Sequence, residues 1–441
     1  MIFKAVQFPI NNGMRVFNLI WLGQVISQVG SYLTAFALDI WVFQRTGSVT
    51  QLTLVTLCTT LPPAIISPIA GTLVDMWSRR WTMIISDACA GLCNLSMALL
   101  YATNSLDVWC VCLVNTLSSS FALFQSIAYT AAIPMFVPKK QLGLVSGMNQ
   151  LERSLPRIIS PVLAVILLGA IQLQGVIIID FATLLIALVP LLSFKFSEFN
   201  DNLENQKIQS NSLFRETAYG WKYIVARPGL LGLFALLTIH YFVTGFLAVL
   251  LVPLVLSLTE ATGAGLVISV SSVAFLVGSL AISLWGDNQK RLINVIFGCT
   301  LLSGICLAIM GLSPSLLIIA LALFFYFLTP PLIRGSAQVI LQKVVAFELQ
   351  GRIFAVNKML SRGATPLAIA IAGLLTDRIF EPLMAFDGLF AGSLGQIIGS
   401  GLGRGIGLLF VIMGITVIIA TLITYQYPPL REVEDMESEL A

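Results

Sequence analysis

Apolar residues run along this chain in long stretches that show neither strict alternation nor a single apolar face. A helix that crosses a bilayer needs about 20 mostly apolar residues, because the hydrocarbon core is roughly 30 Å thick and each helical residue rises 1.5 Å. Twelve stretches are predicted as such helices: 17–43, 51–74, 81–102, 107–130, 143–171, 175–194, 230–256, 265–285, 292–311, 314–333, 352–377 and 405–425. All are apolar on every side, which argues against barrel strands, and helices satisfy their own backbone amides in lipid. The turns inside 51–102 and 292–333 are very short.

The basic residues set an expected orientation. With the N-terminus inside, the outer loops hold only Arg45, Arg378 and Arg404 of the 24 lysines and arginines. The inner segments carry Lys4, Arg15, Arg79, Arg80, Lys139, Lys140, Lys290 and Arg291. The positive-inside rule therefore puts both termini in the cytoplasm, which agrees with an even number of spans. Composition points the same way. Hydrophobic residues make up 57% of the 441 residues and charged residues 10%, against about 25% charged in a soluble chain. Mean hydropathy is +0.94, so a soluble multidomain enzyme is excluded. The net charge of +3 includes no basic run suited to nucleic acid. Seven cysteines lie inside apolar stretches without the partners of a zinc site, and are expected to pack or face lipid. The first apolar run is too long for a cleaved leader.

The longest inner connection divides the chain near its middle. The predicted organisation is a six-helix half over 1–194, a cytoplasmic linker over 195–229 ending in a short surface helix near 214–225, and a second six-helix half over 230–426. An acidic cytoplasmic tail follows over 427–441, with disorder expected from Arg431 on. The halves echo each other. Arg153, Arg157 and Pro161 recur as Lys358, Arg362 and Pro366 at the same four-residue spacing, which places each set on one helix face. Asp75, Arg79 and Arg80 recur as Asp287, Lys290 and Arg291. A repeated six-helix unit suits a carrier working between two halves.

Ionisable residues inside spans are costly and mark function or pairing. Asp39, Asp180 and the single histidine, His240, are candidates for carrying a proton. Gln24, Gln28, Asn115 and Tyr326 are candidates for lining a cavity that holds a substrate. Asp87, Glu152, Arg153, Arg157, Lys358 and Arg362 are expected to pair near an inner gate. Prolines 62, 63, 68, 161, 330, 331 and 366 allow bends. The loop 378–404 is long, rich in glycine and apolar, and is expected to lie on the surface. No Ser/His/Asp, metal-ligand or phosphate-loop constellation supports catalysis.

The segment Gly71-Thr72-Leu73-Val74-Asp75-Met76-Trp77-Ser78-Arg79-Arg80, between the second and third spans, resembles the signature loop of the major facilitator superfamily. The resemblance implies a twelve-helix, two-half, all-α membrane fold. It also implies a cytoplasmic latch made by Gly71, Asp75, Arg79 and Arg80, with Asp287 and Arg291 as a degenerate copy. Trp21 to Gly30, Thr46-Gly47-Ser48, Gly351 to Phe354, Pro366 and Ala372 to Asp377 resemble the macrolide-efflux, or drug:proton antiporter, branch. That branch often has Gly-Pro where this chain has Ser160-Pro161. Its members often carry a mid-membrane arginine in the fourth span, where this chain has Asn115, Ser118, Ser119 and Ser120. The resemblance implies secondary export of small amphipathic molecules in exchange for protons, by alternating access, from a bacterial plasma or inner membrane. Neither a cofactor nor a metal nor a nucleic-acid partner is expected, and the chain is expected to act as a monomer in the lipid bilayer. A lipid or lysophospholipid translocator of the same fold is the alternative, and a membrane-embedded sensor or enzyme a remote one.

Overall fold

A computed structural model of the chain describes residues 13–137, 141–194, 221–285, 291–345 and 347–435. The long helices are α1 Gly13–Thr46, α2 Val49–Met76, α3 Arg79–Ala102, α4 Val108–Phe136 and α5 Leu142–Ser193, then α6 Pro228–Leu256, α7 Ala261–Trp285, α8 Leu292–Leu312, α9 Leu316–Val344 and α10 Phe347–Leu375. A π-turn, Thr376–Phe380, leads into the short α11 Glu381–Met384 and α12 Gly395–Ile398, followed by α13 Arg404–Tyr425 and α14 Pro428–Arg431.

Among the described residues, ten helices are long and apolar enough to cross a membrane. The 52-residue α5 is far longer than a bilayer needs. It breaks at Gln172, whose φ of 58° is left-handed. A left-handed non-glycine residue is a local cost, and here it separates two arms that match the fifth and sixth predicted spans. The eleventh predicted span is α10, 29 residues long; Lys358 and Arg362 dilute its hydropathy. The predicted twelve is reached by counting both arms of α5 and adding α10 to the ten. The spans end in recognisable caps. Ser48 accepts from the Gln51 amide at the start of α2, and Asp107 accepts from the Val108 amide at the start of α4. Outward faces stay apolar: Ile65, Trp109, Leu317 and Ile423 are all exposed, a pattern that only a lipid environment tolerates on this scale.

The chain clusters into two compact units. One holds residues 1–202 with 260–269, and the other 203–259 with 270–441. In the first unit α1 touches both arms of α5. The Trp21 indole donates to the Met148 carbonyl at 3.0 Å, and the Ser160 hydroxyl donates to the Val29 carbonyl at 3.1 Å. On the other arm Gly30 is required, since a Cβ there would collide with the Thr183 hydroxyl and lie 3.0 Å from an Asp180 oxygen. Helix α4 packs on α2 and α3. Residues 260–269 join this unit through the Val162 amide, which donates to the Ser269 hydroxyl at 3.2 Å.

The second unit is framed by α8 against α9 and α13, and by α6 against α10. Helices α8 and α13 meet through facing glycines. A Cβ on Gly304 would lie 2.9 Å from the Gly414 carbonyl, and one on Gly407 would lie 2.8 Å from the Gly311 carbonyl. Small residues let backbones approach where lipid supplies no hydrophobic drive for association. The tail departs from expectation. Leu430 and Val433 are fully buried beside Leu230, Leu292 and Ile340, and Glu434 accepts from the Ile293 amide at the start of α8. Burial of two aliphatic side chains and one helix cap fold the tail back as far as Asp435, despite its acidity. Most of the predicted linker, and Asp287, lie outside the described residues. The described end of the linker, 221–225, is helical.

Candidate functional site

Polar side chains inside the first unit gather into two sets. In the first, the Gln125 amide donates to Gln24 Oε1 at 2.7 Å, and Gln24 Nε2 donates to Asp87 Oδ2 at 3.4 Å. This chain of bonds joins α4, α1 and α3. Gln24 is buried, with both ends of its amide engaged. It therefore holds Asp87 in this structure. Asp87 bonds to this glutamine instead of to a basic side chain.

In the second set Asp180, on the second arm of α5, is 1% exposed. Asn94 of α3 donates to its Oδ2 at 2.8 Å and Ser31 of α1 to its Oδ1 at 3.2 Å. Three helices thus converge on one carboxyl group. Charged groups buried away from water persist only when paired or hydrogen-bonded. Asp39 is half-buried and bonds to no described residue. Its neighbour Ile40 lines a cavity of about 530 Å³, with Trp41, Gln44, Tyr101, Gln172 and Glu260.

Glu152 lies beside Tyr129 and Arg153, and its Oε2 completes no hydrogen bond. Arg157 donates to the Tyr32 hydroxyl at 3.4 Å. Arg153, Arg157, Lys358 and Arg362 are all exposed, while Pro161 and Pro366 are buried, so the repeat keeps the same sidedness in each unit. The Arg80 guanidinium donates to the carbonyls of Leu191 and Leu192 at 2.9 and 2.8 Å, capping the end of α5. A Cβ on Gly71 would meet nothing within 4 Å, so close packing does not demand that glycine. Arg79 is half-buried and Arg291 directly precedes α8. Asp75 closes α2, and its side chain lies outside the description.

The second unit has its own polar group. His240 on α6 is 2% exposed and its Nε2 has no hydrogen-bond partner. The next residue, Tyr241, donates to Asn357 Oδ1 of α10 at 3.2 Å. The exposed guanidinium of Arg334, on α9, stands 5.5 Å from the Tyr241 ring centroid. Tyr326 is 1% exposed, with its hydroxyl 3.3 Å from that of Thr244. Its side chain is thus packed inside the unit, against α6. Gln28 and Asn115 are half-buried. Sequence reasoning missed Asn94, Gln125, Arg334 and Asn357. The first two are single uncharged amides in apolar runs, and the sequence alone does not show that they face Asp180 and Gln24. Arg334 escaped because the tenth span was ended at Ile333, one residue short of it, whereas α9 continues to Val344. Among the described residues, no three His, Cys, Asp or Glu side chains are placed to hold a metal ion.

A profile of the Major Facilitator Superfamily matches residues 20–369. The chain belongs to that superfamily. Macrolide efflux protein A of Streptococcus pyogenes is 28% identical over 375 residues, covering 84% of this chain and 91% of that protein. The multidrug efflux pump Tap of Mycobacterium tuberculosis is 22% identical over 367 residues, covering 81% of this chain and 86% of the pump. Among solved structures, a bacterial homologue of the human lysosomal transporter Spinster, inward-facing and unoccupied, aligns with a TM-score of 0.71 at 12% identity over 99% of this chain and 100% of that one. The nucleoside transporter NupG aligns at 0.68 and 13% identity over 94% of this chain and 100% of that one. These structures establish the superfamily's fold for this chain. The protein is a multi-pass membrane transporter and not an enzyme.

Proposed function

We propose that this transporter exports large amphipathic molecules of the macrolide kind across the cell membrane, in exchange for protons, by alternating access with both termini in the cytoplasm. The observation that carries the export reading is the 28% identity to macrolide efflux protein A along 84% of the chain. Proton exchange is supported by the buried carboxyl of Asp180, held by Asn94 and Ser31, and by the unbonded carboxyl of Asp39 beside a cavity. A carboxyl group enclosed by helices can take up a proton from one side and give it up to the other when its surroundings rearrange. One proton crossing 100 mV supplies about 2.3 kcal/mol, enough for roughly fifty-fold accumulation of a neutral cargo. The exposed Arg334, with Tyr241 beside it, is the proposed contact for a polar group of the cargo in the second unit.

The test uses proteoliposomes with an imposed pH gradient, loaded with a macrolide or with a fluorescent phospholipid. Macrolide movement that follows the gradient supports the reading. In Asp39→Asn and Asp180→Asn, gradient-driven accumulation should collapse in at least one variant while exchange of labelled for unlabelled macrolide persists. Movement of macrolide indifferent to the gradient would refute antiport, and movement of phospholipid alone would replace export with lipid translocation.

A further inference from the structure

The segment between α10 and α13 is far more apolar than an outer loop needs to be. Residues 382–403 contain a single charged side chain, Asp387. Its two ends meet, because the Gly401 amide donates to the Met384 carbonyl at 2.9 Å. Inside this closure the Phe390 amide donates to the Leu383 carbonyl at 3.0 Å, Gly395 to Phe390 at 2.7 Å and Gly399 to Gly395 at 2.9 Å. The backbone is thus largely bonded to itself, as backbone near a bilayer must be. Gly399, Gly401 and Gly403 take φ of 93°, 111° and 81°, which lets the chain turn this tightly.

The loop has two faces. Met384 and Ile398 are buried with Leu408 of α13, and Phe380 and Val411 pack against them. On the other face Phe386 is 77% exposed, Leu389 86%, Ile397 71% and Leu402 82%. Its height is fixed by Glu381, whose carboxylate accepts from the Gly403 and Ile406 amides at 3.3 and 3.2 Å, at the start of α13. Helix α13 has 22 residues, or roughly 33 Å, about the thickness of the hydrocarbon core. The loop therefore lies at the boundary where the membrane meets water. The flanking helices leave apolar side chains exposed as well, at Leu374, Ile379, Ile412 and Ile415.

We infer that the loop 385–402 is an interfacial anchor, lying on the bilayer with Phe386, Leu389, Ile397 and Leu402 inserted at the boundary of headgroups and acyl chains. Lipid is the occupant because the face lies at the end of a helix of bilayer length, is flanked by helices with exposed apolar side chains and is almost free of charge. Exposed apolar faces of this kind mark membrane or partner contacts, and in the proposed orientation the leaflet is the outer one.

The test places a spin label at one position at a time in a chain whose seven native cysteines are replaced by serine. Leu389→Cys and Ile397→Cys report the loop, and Ser105→Cys, in the exposed polar turn between α3 and α4, is the aqueous control. Phe386→Cys substitutes for either loop position if that variant does not reconstitute. Labels are read in phosphatidylethanolamine–phosphatidylglycerol liposomes by collision with oxygen and with a water-soluble nickel chelate. The expected result is several-fold lower nickel access at 389 and 397 than at 105, with higher oxygen access. Equal nickel access at all three positions would overturn the inference. So would shielding that disappears as protein is diluted in lipid, since that would assign the face to a second copy of the chain.

Discussion

Removing the folded tail should destabilise the second unit, and the structure says by how much. Leu430 is fully buried among Leu230, Leu292 and Ile340. Truncating such a leucine to alanine costs about 2–5 kcal/mol, from lost burial plus the cavity left behind. Glu434, by accepting from the Ile293 amide, adds a helix cap of about 0.5–2 kcal/mol. For a unit of this size each kcal/mol moves the unfolding midpoint by about 2–4 °C, so Leu430→Ala should lower it by about 4–20 °C. The assay is suggested by the sequence itself. Cys299 and Cys306 lie on α8, the helix that Glu434 caps, half-buried and buried. A thiol-reactive dye that fluoresces on bonding to cysteine will therefore follow the opening of this helix as the detergent-solubilised protein is heated. Glu434→Gln should lower the midpoint less than Leu430→Ala, and deletion of 428–441 at least as much. The reasoning is refuted if deletion leaves the midpoint where it was, for that would mean the tail adds no burial to the unit.

Gly311→Leu drives a side chain into the Gly407 carbonyl; a loss of about 1–3 kcal/mol is expected, read as a lower midpoint in the same dye assay. Gln24→Leu strands Asp87 and Gln125 together and should cost about 1–3 kcal/mol, while adding Gln125→Leu should cost little more, which a double-mutant cycle measures. Arg334→Ala should weaken macrolide exchange several-fold with gradient coupling intact, and Arg334→Lys should recover part of it. Burial raises the Glu381 carboxyl above its ordinary value of 4.5, against the lowering effect of the Ile406, Gly403 and Gly405 amides. The folded protein then holds this proton more tightly than the unfolded chain does. Its stabilising contribution is complete below pH 4.5 and is lost as pH rises through the raised value. The difference in midpoint between the wild type and Glu381→Gln should shift in that direction across this range, and a constant difference would contradict it.

The spans were legible because their signal is bulk hydropathy, which no tertiary detail can hide. Two places weaken that signal without hiding it. At Gln172 the chain turns without a glycine, yet the polar Gln172 and Gln174 between the runs 143–171 and 175–194 already separate the two arms of α5. In α10, Lys358 and Arg362 dilute the apolar run, although their spacing from Pro366 revealed the repeat. Side-chain roles were harder to read. Gln24 and Gln28 are a helical turn apart and look alike in sequence, yet only Gln24 is buried, because Asp87 and Gln125 face it from α3 and α4. The tail misled for a related reason. Its acidic residues outweigh Leu430 and Val433 in any average, while two buried side chains are enough to fold it back.

The two units share a frame but not a chemistry. Both carry two exposed cations followed by a buried proline at equal spacing, and Asp75, Arg79 and Arg80 recur in sequence as Asp287, Lys290 and Arg291, but their other polar residues differ. The carboxylates Asp39, Asp87, Glu152 and Asp180 all belong to the first unit, whereas His240, Tyr241 and Arg334 belong to the second. Duplication of helices needs only length and hydropathy to be kept, so each unit was free to change its buried polar groups. Under the proposed function this division has a consequence. Proton handling follows from acids that three neighbouring helices enclose, and cargo recognition from a guanidinium that its helix leaves exposed. The two tasks then fail separately when residues are replaced. The repeat reveals the frame, while contacts such as Asn94 on Asp180 are what support the proposed division of tasks.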